Sequence, residues 1–233
     1  MERFKLKKIS QFLVTFLTFV ILGSCFKVMV LVEGVTEVRP VNAIPVPAGL
    51  FFGSIGAIGC AVGNLVSDLF GTLTGTSVLG FLSNFLAAYM PYRLWYLYTK
   101  EEPDVHSYPK LFLYIWISFV SALSSSWIVG TGIWLLAGWV PGLALIVFLN
   151  DFVFPIIFGL PVFIVLTSDS IRIRCAKEPK SCLPISDRTR RILTGLYTVL
   201  LMVLMILTCF EDHPAMAKIL SVPALILTIL IVV

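Results

Sequence analysis

Residues Val38 to Leu73 read VRPVNAIPVPAGLFFGSIGAIGCAVGNLVSDLFGTL, and this stretch decides how the chain folds. It holds three prolines, six glycines, two asparagines, one arginine and one aspartate among residues that are otherwise mostly apolar. Proline removes a backbone hydrogen-bond donor and glycine weakens a helix, so the stretch is unsuited to one long, regular helix.

The chain around this stretch is apolar enough to cross a lipid bilayer several times. Of its 233 residues, 58% are hydrophobic and 13% are charged, which one water-soluble core cannot accommodate. Uncharged runs such as 192–210 have the length of about 20 residues that a helix needs to cross the hydrocarbon layer. The run 199–207 is apolar without the alternation of a barrel strand. The sequence therefore predicts an all-α, polytopic integral membrane bundle.

Charge and hydropathy together predict how often the chain crosses. Hydropathy divides it into seven apolar blocks, at 11–32, 44–73, 76–98, 110–139, 141–166, 191–210 and 214–233. Basic residues are concentrated before the first block (Arg3, Lys5, Lys7, Lys8) and between the fifth and sixth (Arg172, Arg174, Lys177, Lys180, Arg188, Arg190, Arg191). Both regions should be cytoplasmic, yet the five blocks between them would give an odd number of crossings.

One of those five blocks must therefore contain a second crossing, and we expect a break at Gly53-Ser54. This break gives a short segment over 42–52 and a helix over 55–70. The rival position, Ser124 to Ser126, would leave halves of about 14 residues, each too short to span. Pro45 and Pro47 predict that the short segment begins in extended conformation.

The predicted organisation is a six-helix core at residues 1–167, a basic cytoplasmic loop at 168–190 and a two-helix membrane hairpin at 191–233. The N-terminus is expected in the cytoplasm of a multi-pass protein of the cell membrane. The pattern Gly59-x-x-x-Gly63 favours close helix contact, either inside the bundle or between two copies. Five scattered cysteines indicate reduced thiols, and Cys175 with Cys182 is a weak zinc pattern.

Polar residues within apolar blocks are candidates for binding a solute, because a polar group in a membrane needs a partner. The candidate site is Arg39, Asn42, Asn64, Asp68, Asn84, Trp134 and Trp139, of which the tryptophans would otherwise belong to the membrane interface. Asp68 could instead be a solvated helix end or pair with Arg39 or Lys27. For Asp151, a structural hydrogen bond to a Ser or Asn of a neighbouring helix is favoured over proton transfer.

The sequence lacks patterns that would indicate an enzyme. GTLTGTS at 71–77 has no lysine to hold phosphates, and His106 and His213 are isolated from any ligand pattern. Neither a G-x-S-x-G nor an H-E-x-x-H motif occurs. We therefore expect no enzymatic activity, no cofactor, no metal site and no nucleic-acid partner.

Two stretches resemble a known family. The run AGLFFGSIGAIGCAVGNLVSDLFGTL, preceded by VRPVNAIP, resembles the second and third helices of the substrate-binding S components of energy-coupling factor (ECF) transporters. NDFVFPIIFGLPVF, at 150–163, is similar to their last core helix, and the likeness covers about 7–167. The segment FLVTFLTFVILGSCFK, at 12–27, lacks the Ala-x-x-x-Ala pair common in that family, and the last two helices have no counterpart.

The resemblance implies a six-helix protein with both ends of its core in the cytoplasm. Such a protein captures a vitamin-like molecule, a nucleobase derivative or a metal ion from outside. It passes this solute on within a complex of a coupling transmembrane subunit and two cytoplasmic ATPases.

The alternative is a membrane sensor or assembly subunit. Its basic loop, 167–191, would bind a cytoplasmic partner or anionic lipid headgroups, each Lys or Arg contributing about 1 kcal/mol near the surface.

Overall fold

The structure is a computed structural model that describes residues 2–25, 30–32, 36–70, 73–210 and 214–233. Over these residues the chain is an α-helical bundle. Its helices are α1 (Glu2–Cys25), α2 (Pro45–Phe52), α3 (Ser54–Asp68), α4 (Ser77–Tyr98), α5 (Tyr108–Ala137), α6 (Leu143–Phe154), α7 (Leu160–Thr167), α8 (Asp187–Phe210) and α9 (Pro214–Val232). A 3₁₀ helix (Pro40–Ala43) precedes α2, and a π-helix (Pro155–Gly159) joins α6 to α7. A short antiparallel hairpin pairs β1 (Val30–Val32) with β2 (Thr36–Glu37).

Five helical segments of the described chain are long and apolar enough to cross a membrane. They are Lys7–Cys25, Tyr108–Ala137, Leu143–Thr167, Asp187–Cys209 and Ala215–Val232. These spans agree with a multi-pass membrane protein. The six-helix count of the core stays a prediction, because α2 has only 8 residues and α3 only 15.

Glycine contacts show the directions in which the first helices run. Gly59 faces Thr15 and Gly63 faces Phe19, so α1 and α3 lie side by side and run parallel. Gly53, just before α3, faces Ala176 of the loop that follows α7. Both α1 and α3 therefore begin at the end of the bundle that carries this loop, which we call the inner end. The Gly59-x-x-x-Gly63 face packs inside the molecule, the first of the two predicted possibilities.

The predicted break is confirmed at Gly53. Its backbone has φ of 60° and ψ of −134°, a left-handed conformation that residues with a side chain rarely adopt. The chain reverses there from α2 into α3. Helix α5 continues without interruption through Ser124 to Ser126, so the rival break is absent.

Two sequence-based boundaries were wrong. The residues before Pro45 form a 3₁₀ helix rather than an extended strand, and Pro45 occupies the first turn of α2. Proline is well suited to this position because its missing N–H would have no intrahelical acceptor there. The first apolar block was also predicted as helix to residue 32, whereas α1 ends at Cys25 and Val30–Val32 is a strand.

Helix α2 is held by close contacts between backbones. A Cβ at residue 49 would lie 1.9 Å from the Ala88 carbonyl oxygen of α4. A Cβ at residue 56 of α3 would lie 2.2 Å from the Ala48 carbonyl oxygen. Glycine is therefore required at both positions, and α2 lies directly against α3 and α4.

Next to this contact, Pro91 interrupts the backbone hydrogen bonding of α4. Because it has no N–H, the Ala87 carbonyl one turn earlier loses its usual partner. The Ser121 hydroxyl of α5 donates to that carbonyl at 2.8 Å. A side chain thus satisfies the freed backbone group, as burial in a membrane requires.

The loop at 168–186 is bonded to the inner ends of α2 and α4. The Tyr92 hydroxyl donates to the Lys177 carbonyl at 2.7 Å, and Arg93 donates to the Lys180 carbonyl at 3.0 Å. The Ala176 N–H donates to the Leu50 carbonyl at 2.9 Å. The loop therefore covers the inner end of the bundle.

We predict that Gly49→Ala lowers the free energy of unfolding by about 1–3 kcal/mol, because the added methyl collides with the Ala88 carbonyl. Thermal unfolding of the purified protein measures this loss. Gly195→Ala in α8 is the matched control, since among the described residues no atom outside the neighbouring helix backbone lies within 4 Å of the added methyl. Equal stability of the two variants would contradict the close contact of α2 with α4.

Cysteine labelling, in a background that lacks the native cysteines, tests the predicted orientation of the protein in the membrane. A cysteine at Thr74, between α3 and α4, should react with a membrane-impermeant reagent added outside intact cells. Cysteines at Glu102 and Ser181 should react only after permeabilisation, because the positive-inside rule places the basic loop in the cytoplasm. Labelling of Ser181 from outside would contradict this orientation.

Candidate functional site

The 3₁₀ helix Pro40–Ala43 directs two polar side chains into the bundle. Residues three apart in a 3₁₀ helix lie above one another, so Arg39 and Asn42 share one side of this turn. The Asn42 N–H donates to the Arg39 carbonyl at 2.9 Å, which closes the turn. Pro40 and Ala43, also three apart, line an apolar groove instead.

Arg39 binds the outer half of α3. Its Nη2 donates to Asn64 Oδ1 at 2.7 Å, and Asn64 Nδ2 donates to Asp68 Oδ2 at 3.4 Å. Asn64 and Asp68 are four residues apart and therefore neighbours on one helix face. Asp68 is only 7% exposed, so it is not the solvated helix end that was one possibility. The other suggested partner, Lys27, lies outside the described residues.

Asn42 binds α6. Its Nδ2 donates to Asp151 Oδ1, and the Ser125 hydroxyl of α5 donates to Asp151 Oδ2. The Ser125 hydroxyl also forms a hydrogen bond with the Ser83 hydroxyl of α4. The expected hydrogen bonds from an Asn and a Ser to Asp151 are thus confirmed.

These contacts form one connected group across four helices and the 3₁₀ helix. We call it the polar cluster, and its members are Arg39, Asn42, Asn64, Asp68, Ser83, Ser125 and Asp151. The hydrogen bond from the Asn42 N–H to the Arg39 carbonyl joins the two branches through the backbone. At 1.5 Å per residue, Asp151 lies about 12 Å along α6 from its outer end. The cluster is therefore within the outer half of the bundle.

Gly159, the last residue of the π-helix, has no side chain and so lets the 3₁₀ helix approach closely. A Cβ at Gly159 would lie 2.7 Å from the Ala43 carbonyl oxygen. Pro155 begins the π-helix and Pro161 follows it, and two prolines this close disturb regular α-helical hydrogen bonding. Single-turn π segments of this kind occur frequently at functional sites.

One buried acceptor in the cluster has no partner. Asn42 is 6% exposed, and its Oδ1 forms no hydrogen bond with any residue that the structure describes. Its amide cannot simply turn round, because the NH₂ group must face the Asp151 carboxylate. An unpaired buried acceptor costs about 1–3 kcal/mol, so the cluster has an unfilled place for a hydrogen-bond donor.

Three predicted site residues form contacts of other kinds. Asn84 is buried, and its Nδ2 donates to the Gly80 carbonyl of its own helix at 2.9 Å. The Trp139 indole N–H donates to the Thr208 carbonyl of α8 at 2.9 Å. Trp134 is buried in α5. A position for either tryptophan above the cluster stays a prediction.

Sequence reasoning did not include Ser83, Ser125 and Asp151 in the site. Asp151 did carry a signal, since a carboxylate in an apolar block needs partners. The serines carried a weaker signal, because a hydroxyl can also bond to a carbonyl of its own helix. The Ser124 hydroxyl, for example, donates to the Val120 carbonyl.

The cysteine loop has no metal-binding geometry. Within the described residues, no group of three or more His, Cys, Asp or Glu side chains could hold a metal ion. Burial and, to a smaller extent, the nearby Glu102 and Asp104 carboxylates raise the pKa of the Cys175 thiol to about 12. This thiol is therefore protonated at neutral pH and is a poor nucleophile or ligand.

We predict that Ser125→Ala lowers the free energy of unfolding by about 1–3 kcal/mol, because the buried Asp151 carboxylate loses a donor. Ser118→Ala is the matched control on the same helix. The Ser118 hydroxyl donates to the carbonyl of Tyr114 in its own helix, so its removal should cost less. Thermal unfolding in detergent or nanodiscs compares the two, and an equal loss would argue against a supporting role for Ser125.

The chain was also compared with protein-family models, curated proteins and solved structures. None of these comparisons found a significant match.

Proposed function

We propose that this protein is the membrane-embedded, solute-capturing component of an uptake transporter, and that the polar cluster holds the solute. The observation that carries the proposal is the buried polar cluster with the unpaired Asn42 Oδ1 inside an apolar bundle. Ionisable groups within a membrane are costly and mark solute or ion pathways in many proteins. A solute that donates a hydrogen bond to this acceptor would remove the cost of leaving it unpaired.

The surroundings of the cluster favour access from the outer end. On the inner side, α2 lies against α3 and α4, and the loop at 168–186 covers the end of α2 through the Ala176–Leu50 hydrogen bond. On the outer side, residues 38–43 are not α-helical. Irregular backbone at membrane depth is tolerated where it is sheltered by protein or lines a cavity.

The two stretches that resemble ECF S components supply most of the cluster. Residues 38–73 contribute Arg39, Asn42, Asn64 and Asp68, and residues 150–163 contribute Asp151. This coincidence supports an S-component-like role, in which a coupling transmembrane subunit and two cytoplasmic ATPases complete the transporter. The solute would be a vitamin-like molecule, a nucleobase derivative or a metal ion.

A sensor or assembly subunit has less support. That role needs a basic loop that is free to bind a partner or lipid headgroups. The backbone of the loop is bonded to the bundle at Ala176, Lys177 and Lys180, which fixes the loop although the Lys177 and Lys180 side chains are exposed. Lys100 also forms an ion pair with Glu178 of the loop at 2.7 Å.

The proposal predicts that Asn42→Ala and Asp68→Ala abolish or weaken solute binding while folded protein remains. Each change removes a polar partner within the cluster, which should weaken binding about 10- to 100-fold. Native mass spectrometry detects solute carried by the purified protein, and thermal-shift screening with vitamins, nucleobases and metal ions identifies what binds.

Ser118→Ala serves as the control, since its hydroxyl bonds within α5. Unchanged affinity in the surviving folded fraction of both variants would make the cluster structural only. Absence of any bound solute and of any co-purifying ATPase would refute the transporter role.

A further inference from the structure

We infer that the polar cluster recognises its solute through a protonated primary amine, held between Asn42 Oδ1 and the Asp151 carboxylate. The inference rests on the proposed solute-capturing function and adds the chemical class of the solute. It depends on three features of the cluster: which hydrogen-bonding groups are already used, the balance of charge, and the placement of the free acceptor.

The cluster directs its donors at its own acceptors. Asn42 Nδ2 and the Ser125 hydroxyl both donate to Asp151, and Arg39 Nη2 donates to Asn64. The group left over at Asn42 is an acceptor, Oδ1. A solute group that completes this hydrogen bonding must therefore be a donor.

The charge of Asp151 is not balanced by the groups that bond to it. Its carboxylate accepts from the Asn42 amide and the Ser125 hydroxyl, whereas Arg39 bonds to Asn64 in the other branch of the cluster. Both donors to Asp151 are neutral, so its negative charge has no hydrogen-bonded cation among the described residues, in a region of low dielectric constant. A bound cation would neutralise it, whereas a bound anion would add to it, and buried charges require such compensation.

The free acceptor lies beside the carboxylate. Asn42 Oδ1 belongs to the same amide whose nitrogen bonds to Asp151, so the two acceptors are adjacent. A primary ammonium has three N–H donors on one nitrogen and can reach both acceptors at once. A hydroxyl or an amide would satisfy Asn42 Oδ1 but would leave the charge unbalanced.

The experiment uses two matched sets of solutes with the full-length protein in nanodiscs. One set is tryptamine, N-acetyltryptamine and indole-3-acetate, and the other is phenethylamine, N-acetylphenethylamine and phenylacetate. Each set keeps the ring and changes the polar group from cation to neutral amide to anion. Thermal unfolding reports binding, because a ligand that binds only the folded protein raises Tm.

We expect both amines to raise the Tm of the wild-type protein and the acetylated and acidic members to leave it unchanged. Asp151→Asn, which removes the charge with little change in shape, should weaken amine binding about 10- to 100-fold. Asn42→Ala gives a second, independent variant should Asp151→Asn fold poorly. Ser118→Ala, outside the cluster, should respond to the amines as the wild type does.

Stabilisation by the acids or the amides instead of the amines would overturn the inference, as would amine binding that survives both cluster variants. Lack of a Tm shift with all six compounds would also overturn it. The proposed function is tested separately, by identifying any solute that the purified protein releases. A neutral or acidic solute that is lost in Asn42→Ala would keep the proposed function and refute the amine.

Discussion

The hydrogen bond from Asn42 to Asp151 determines where the short helix α2 lies in the bundle. Asn42 precedes α2 and Asp151 is within α6, so the contact fixes the 3₁₀ helix against α6. Asp151 in turn binds Ser125, and Ser125 binds Ser83. A carboxylate inside a membrane cannot stay without donors, so α4, α5 and α6 must keep their positions around it. The short, irregular segment is thus held by polar contacts as well as by packing.

The sequence indicated much of this arrangement. Six glycines and three prolines in one apolar stretch, together with the requirement for an even number of crossings, placed a break at Gly53, where the structure has one. The need of polar groups for partners also selected Arg39, Asn64 and Asp68 as candidate site residues, and the structure connects these three by hydrogen bonds. The break could be predicted because helix-breaking residues are rare in membrane segments, so each one restricts the structures that are possible.

Other features depend on contacts between distant residues, which one sequence does not reveal. Pro45 and Pro47 were expected to give an extended backbone. Proline is equally compatible with the first turn of a helix, and the packing of Gly49 against Ala88 favours the helix. Ser125 resembles its neighbours Ser124 and Ser126 in sequence, and only the position of α6 shows that it faces Asp151. The hydrogen bond from the Trp139 indole to the Thr208 carbonyl of α8 joins residues 69 positions apart, and the sequence does not indicate it.

The contacts of α2 limit how a solute could leave the cluster toward the inner end. On one side, Gly49 and Gly56 bring backbones so close that no solute could pass between α2 and α3 or α4 without separating them. On another side, α2 borders an apolar groove of about 730 Å³, lined by residues of α1 such as Val14 and Leu22 and residues of α7 such as Val162. Moving α2 into the groove would separate these glycine contacts and lose their dispersion energy. Under the proposed function, passage of a solute would therefore depend on these contacts and on the inner end of α2, where the Leu50 carbonyl accepts from Ala176 of the covering loop.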